Sequence, residues 1–414
     1  MKKVIIAHVS KQHSFHTAIA LKREGVLYKY ITTVYDRPSS LTSRAKKFLK
    51  GSSLKKASTR SCPELNDNDV VQFYEVLGLL RIFLGRFKIF NIDLFLMRIF
   101  AKKVARYAIK ENVDAVIVYD GITQKYLDLI KKSAPHIITI MDVAIASRPF
   151  MKEVFENDMK KYNHENFLEE EKYLFKDRYL DFVMNDFRYT DYFFVASNVV
   201  FNSLKYCGIE DSRIVKVPYG VAIDQFDYVQ KNVTSGALKL LFVGNLSYRK
   251  GIHHLLDVVS RYSKHDIQLS LAGGYDPEGE FYLKYSNLEN VHFMGFVTRD
   301  VITATFQDSD IFVMPTMAEG MALVILEALA TGTPVICTEN SGGNDAIIDY
   351  ENGIVCKAGD RDSFNDALKW MLQHRSRLPE MSLKAREVAV NYTWEVYYGR
   401  IGREIRTILE KVTE

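Results

Sequence analysis

Nowhere in this 414-residue chain do about 18 apolar residues follow one another without a break, so no segment has the length of a membrane-spanning helix. Cysteine is scarce. Cys62, Cys207, Cys337 and Cys356 lie too far apart for a C-x-x-C pair, which removes zinc-ribbon and thioredoxin-like centres and fits a reduced, cytoplasmic interior. With only 9 prolines and 22 glycines the chain is neither collagenous nor of low complexity. A single-sign charge excess is missing too: 55 Lys and Arg against 51 Asp and Glu leave +4, and no aromatic-basic reader motif appears, so nucleic acid is not an expected partner. Neither half has G-x-G-x-x-G after its first strand, which argues against a nicotinamide dehydrogenase. The opening MKKVIIAHVSKQHS has too short an apolar stretch, and no small-residue cleavage site, for a secretory signal.

What is present is a 47% hydrophobic chain long enough for two or three domains. Short β-branched runs alternate with helical patterns, the signature of βα units around parallel sheets. In the first half, strands are predicted at 3–9, 28–34, 115–119, 137–141, 192–196 and 214–217. A second series follows at 238–243, 268–272, 291–294, 311–314, 334–337 and 353–355. The fold class is therefore α/β, with two Rossmann-like doubly wound domains facing a central cleft where ligands of such sheets bind. The boundaries are residues 1–215, a linker at 216–236 around Thr234 to Gly236, and 237–395. The helical pattern at 396–414 either finishes the second domain or crosses back to the first.

Chemistry concentrates in MPTMAEGMALVILEALATGTPVIC, residues 314–337. A strand ends at Pro315, a loop carries Glu319 and Gly320, and a helix from about Met321 to Ala330 is apolar on nearly all sides and so buried. Glu327 sits within it, where Leu323, Val324 and Ala330 offer its carboxylate no hydrogen bond. A ligand's hydroxyl pair would. Glu319 lies about 12 Å up the axis at ~1.5 Å per residue, and the N–H groups of Gly320, Met321 and Ala322 between them suit a phosphate. That layout fits a sugar nucleotide, whose diphosphate separates two hydroxyl-bearing rings; the plainer alternative is one glutamate at a helix start and one on a solvated edge. In KLLFVGNLSYRKGIHHLLDVV, residues 239–259, Arg249 and Lys250 stand at a helix start and add charge to an anion site.

These two segments, with VPYGVAIDQFD, FMGFVTRDVITATFQDSDIFVMPT and SGGNDAIIDYENGIVCKAGD, resemble the retaining glycosyltransferases of family 4, which have the GT-B fold. The likeness covers roughly 215–395, and Glu319 with Glu327, seven residues between them, is its most specific element. It implies that Glu327 binds the nucleotide ribose and Glu319 the transferred sugar. Arg249 and Lys250 would neutralise the diphosphate with backbone N–H groups from Gly320 to Leu323. Gly244, Asn245 and Thr316 would line the donor site, and backbone near Phe296 and Val297 would meet the base. The first domain would bind the acceptor. The resemblance implies neither a metal nor any cofactor besides the donor substrate, UDP- or GDP-linked; Asp308-Ser309-Asp310 falls where the family has a structural aspartate, and Asp67-Asn68-Asp69 in a polar loop.

The chain departs from the family's usual pattern. Asn245 replaces an arginine after the strand glycine, a position Arg249 compensates. The first loop, HVSKQHSFH, and the later IMDVAIASRP lack the usual glycine-rich loop and histidine. His13 at a helix start is a candidate for acceptor or phosphate contact, against a plain helix cap. Asp142 and Arg148 are further acceptor-side candidates.

Residues 37–60 hold eight basic residues and no acid, with no clear strand or helix. Residues 79–110 alternate Phe and Leu with cations, as amphipathic helices on anionic membranes do. The expectation is a cytoplasmic, peripheral, metal-independent hexosyltransferase that moves a sugar to a glycan or lipid-linked saccharide acceptor in cell-surface polysaccharide biosynthesis. Two alternatives stay open: a non-catalytic nucleotide-sugar-binding partner or scaffold of an assembly complex, and a sugar-nucleotide epimerase of the same architecture.

Overall fold

The strand-forming runs are β-branched and apolar on both faces, as parallel strands covered by helices on both sides must be. In the computed structural model, which describes residues 2–84, 90–121, 126–162, 171–233 and 235–411, they form two parallel sheets. The first contains β1 (Val4–Ala7), β2 (Leu27–Thr32), β3 (Val70–Gln72), β4 (Ala115–Tyr119), β5 (Ile138–Val143), β6 (Tyr192–Val195) and β7 (Ile214–Lys216), in the order β3-β2-β1-β4-β5-β6-β7. The second contains β8 (Leu238–Val243), β9 (Ile267–Ala272), β10 (Val291–Gly295), β11 (Ile311–Met314), β12 (Val335–Thr338) and β13 (Gly353–Cys356), in the order β10-β9-β8-β11-β12-β13. Each order reverses direction once, between β1 and β4 and between β8 and β11. A ligand crevice is expected outside the strand ends at those two points.

Val4, Ile5, Ile6, Leu240, Leu241, Phe242, Ile311, Phe312 and Val313 are all within 1% of full burial. At about 1.5–3 kcal/mol for each such side chain, the central strands β1, β8 and β11 supply much of the driving force for folding.

One expectation is corrected. The segment 37–60 is not without structure: it carries helices Leu41–Lys46 and Gly51–Ser58, the first capped by Ser40, whose hydroxyl accepts from Ser43 N–H. An edge strand, β3, was unforeseen because it is three residues long. β7 runs across the 215/216 boundary. Of the two basic segments, the side chains of Lys55, Lys56 and residues 85–94 lie outside the described residues, as does Thr234 of the linker.

The chain crosses between the sheets twice, and the crossings touch. After β7, Val221 N–H donates to the Tyr392 carbonyl at 2.8 Å and pairs with Thr393. Gly220 lies so close to Thr393 that a methyl group there would overlap its carbonyl. Helix Trp394–Lys411 then lies on helix Ser14–Arg23 of the first domain. Trp394 stacks on His16 at 3.5 Å, and Tyr397 and Tyr398 hydroxyls meet Thr17 and His16 at 2.9 and 2.8 Å. Arg23 pairs with Glu395 at 2.7 Å and Arg406 with Glu24.

Candidate functional site

Strand β8 ends at Val243, just before Gly244, and a one-turn 3-10 helix, Tyr248–Lys250, follows. Gly251 closes it at φ 64°, against Pro315 so closely that any side chain would overlap the Pro315 carbonyl. This sets Arg249 and Lys250 beside the loop after β11. Arg249 donates to Glu319 at 2.8 Å and to the Ala318 carbonyl at 3.2 Å, and Lys250 donates to the same Glu319 oxygen. Burial alone would push the Glu319 carboxyl up, but the Lys250 ammonium and then the Arg249 guanidinium outweigh it and hold it at about 2. Burial pulls the Lys250 ammonium down. The predicted sugar-binding carboxylate and the predicted diphosphate cations thus form one ion cluster.

The helix begins at Leu323, two residues later than predicted, because Met321 and Ala322 remain outside it. Two of the N–H groups assigned to an anion are taken: Gly320 N–H donates to Glu319 Oε1 at 3.3 Å and Ala322 N–H to the Ser341 carbonyl at 3.2 Å. The helix's own orphan donors start instead with Leu323 and Val324. Glu327, one side of this short helix further down, has a partner the sequence reading lacked, the Arg299 guanidinium at 3.6 Å. Burial still raises its carboxyl, an effect Arg299 partly offsets.

Asn245 is exposed beside Gly244, and Phe296 is 86% exposed with its ring over Gly274; Val297 is half-buried behind it. Thr316 is corrected. It is fully buried, and its hydroxyl donates to the Arg249 carbonyl at 3.0 Å, so it fixes the cation turn and is closed to a ligand.

Opposite stands the first domain. His13 precedes helix Ser14–Arg23 and makes no side-chain cap. It is 8% exposed, and its Nε2 meets Asp142 Oδ2 at 2.9 Å. Tyr219 donates to the other Asp142 oxygen at 3.1 Å, and its ring lies 4.2 Å from the imidazole. Asp142, at the end of β5, is therefore occupied by protein partners. So is Arg148, which pairs with Asp120 at 3.2 Å and reaches Tyr179 at 3.5 Å. The Asp142 loop touches the Glu319 loop: Ala146 N–H donates to the Glu319 carbonyl at 3.2 Å, Ser197 donates to the Gly320 carbonyl at 2.5 Å, and Gly320 abuts Ala144.

Three carboxylates of the two Asp-x-Asp segments are held by protein partners. Asp310 accepts the Lys239 backbone N–H at 2.8 Å and Asp308 pairs with Lys239 Nζ at 3.1 Å. Asp69 pairs with Lys22 at 2.6 Å. Among the described residues, one cluster has metal-ligand types within 4.8 Å of one another, Asp158, His253 and His254. Sequence reading missed it, along with Glu171 and Tyr219, because helix Arg148–Tyr162 shows no motif and its partners lie about a hundred residues on.

Two doubly wound sheets meeting at the ends of their switch-point strands are the GT-B fold. TM-scores of 0.64 to sucrose-phosphate synthase from Thermosynechococcus elongatus (17% identity, 99% of this chain and 100% of that one) and 0.61 to Anabaena HepE in complex with UDP (14%, 98% and 100%) agree. Residues 224–388 match the family model described as glycosyl transferases group 1. The D-inositol 3-phosphate glycosyltransferase of Corynebacterium urealyticum is 29% identical over 208 residues, 44% of this chain and 49% of that protein. The chain thus spans about half the length of that relative.

Proposed function

We propose that the chain is a retaining glycosyltransferase of family 4 that transfers a hexose from a UDP- or GDP-linked donor without a metal. The observation that carries the reading is the Arg249, Lys250 and Glu319 cluster, placed at the second sheet's switch point with Glu327 on the helix behind it. Loss of a nucleotide diphosphate from an anomeric carbon calls for stabilised leaving-group charge, which two fixed cations and the Leu323 and Val324 N–H groups supply. Glu327 takes the ribose hydroxyls in exchange for Arg299, Glu319 takes the sugar, and Phe296 and Val297 flank the base. His13, oriented by Asp142, faces the acceptor. The family match and the UDP bound by HepE support this assignment.

The acceptor in this reading is a glycan or lipid-linked saccharide of a cell-surface polysaccharide, met at an anionic membrane. Val76, Leu80 and Phe83 are 62%, 41% and 60% exposed along one side of helix Glu75–Leu84. That helix rests on the end of β2 through Gly78, against Thr33 and Val34. Phe48 is 86% exposed among Arg44, Lys47 and Lys50 on the adjoining helix and turn. Apolar side chains among cations suit an anionic bilayer surface. No described helix is long and apolar enough to cross a membrane.

A thermal-shift panel with UDP and GDP tests the donor assignment, since ligand at about 100 times its dissociation constant adds about 2.7 kcal/mol. Stabilisation by one of them and transfer abolished in Arg249→Ala are expected. Nucleotide binding without turnover in the wild type would instead favour the non-catalytic partner. Sedimentation with phosphatidylglycerol vesicles but not phosphatidylcholine vesicles is expected; equal behaviour with both would sink the membrane assignment.

A further inference from the structure

Asp158 belongs to helix Arg148–Tyr162 of the first domain, yet its carboxylate is buried in the second. It is 5% exposed. Its Oδ2 accepts from the Tyr248 hydroxyl at 2.6 Å and its Oδ1 lies 2.8 Å from His254 Nε2; His253 Nε2 is 3.6 Å from Oδ2. Arg361 donates its Nε proton to His254 Nδ1 at 3.2 Å, which fixes the imidazole from the side away from Asp158. The hydrogen bond that ties this carboxylate to the second domain comes from Tyr248, with the two imidazoles packed beside it.

The partner that matters is Tyr248. It opens the 3-10 turn whose next two residues are Arg249 and Lys250. Its ring is clamped as well, stacked on His253 at 4.7 Å and edge-on to Phe155 at 5.2 Å, one helical turn before Asp158. Met151, Phe155 and Leu174 of the first domain form a small apolar core with Tyr248, Met317 and Ala318 of the second. A second first-domain acid reaches the same turn: Glu171, 6% exposed, lies 3.6 Å from Arg249 Nε. The turn is thus held from its own domain by Gly251 and Thr316, and from the other by Asp158 and Glu171.

We propose that Asp158 is a positioning residue for the cation pair: through the Tyr248 hydroxyl it holds the turn bearing Arg249 and Lys250, so that the diphosphate site is complete only when the two domains are docked. This rests on the reading that those cations take the donor's diphosphate. The base and ribose contacts, Phe296, Val297 and Glu327, lie wholly within the second domain and do not depend on Asp158. Domain docking is then coupled to the outer phosphate of the nucleotide and not to the nucleoside.

The test is a comparison of diphosphate with monophosphate. Dissociation constants of UDP and UMP, and of GDP and GMP, are measured by calorimetry for the wild type, Asp158→Asn, Tyr248→Phe and Arg249→Ala. Tyr248→Phe keeps the ring stacked and removes only the hydroxyl, so it serves where Asp158→Asn does not fold. The expected result is a wild-type preference for the diphosphate that falls about tenfold in both variants. Monophosphate affinity should stay unchanged. Tyr248→Phe combined with Arg249→Ala should lose no more than Arg249→Ala alone, the mark of a shared route. A diphosphate preference that survives in Tyr248→Phe, or an equal loss for both nucleotides, overturns the inference while leaving the site assignment standing. No diphosphate preference in the wild type overturns both.

Discussion

Replacing Glu319 by Gln keeps the shape of the side chain and removes one charge from the centre of the cation cluster. In the native chain two cations converge on a carboxylate that is 14% exposed, and its carboxyl falls from the ordinary 4.5 to about 2. A displacement of that size is worth about 3 kcal/mol, which agrees with the roughly 3–5 kcal/mol lost when one partner of a buried pair is removed. Because the folded value lies below the unfolded one, this contribution is complete above about pH 4.5 and disappears as pH falls toward 2. Urea denaturation at pH 7 should therefore show Glu319→Gln less stable by about 3 kcal/mol, and the gap to wild type should narrow as the pH is taken below 4.5. The same change frees Arg249 and Lys250 from a competing anion, so UDP or GDP should bind more tightly while sugar transfer falls. Equal stability at pH 7, or weaker nucleotide binding in the variant, would refute this account of the cluster.

Gly320→Ala places a methyl group on the Ala144 carbonyl, so the cleft-side contact between domains should open, visible as a larger radius of gyration in solution scattering and a loss of transfer of about a hundredfold. Lys231 is buried with its ammonium donating to the Phe306 and Gln307 carbonyls at 2.7 and 2.8 Å, and burial lowers it to about 8. Its folded value lies below the ordinary 10.5, so the unfolded chain binds the extra proton between the two values and wild-type stability should gain between pH 8 and 10.5 relative to Lys231→Met; parallel stability profiles for the two proteins over that range would show the assignment wrong.

The second sheet was legible because its central strands β8, β11 and β12 are apolar, largely buried runs. Glu327 stood out as a carboxylate in a helix too apolar to hold it unaided, and Glu319 by its place in the loop before that helix. What stayed hidden depends on distance along the chain. No local pattern marks Asp158 as the partner of Tyr248, ninety residues on, or Arg299 as that of Glu327. Helix boundaries slipped where backbone bonding decides them: Ala322 gives its N–H to Ser341, so the helix starts after it. The family resemblance implied Thr316 as a donor contact, but its hydroxyl is spent on the Arg249 carbonyl.

The contact between Gly220 and Thr393 bears on how the halves can move. Two chain crossings lying against each other, tied by the Val221 to Tyr392 bond, act as one axle. Sliding one half past the other would shear that bond, whereas turning about the common line leaves it whole. A rotation of the halves about that line would keep the bond while changing the gap between His13 and Glu319, whereas any other displacement would break it.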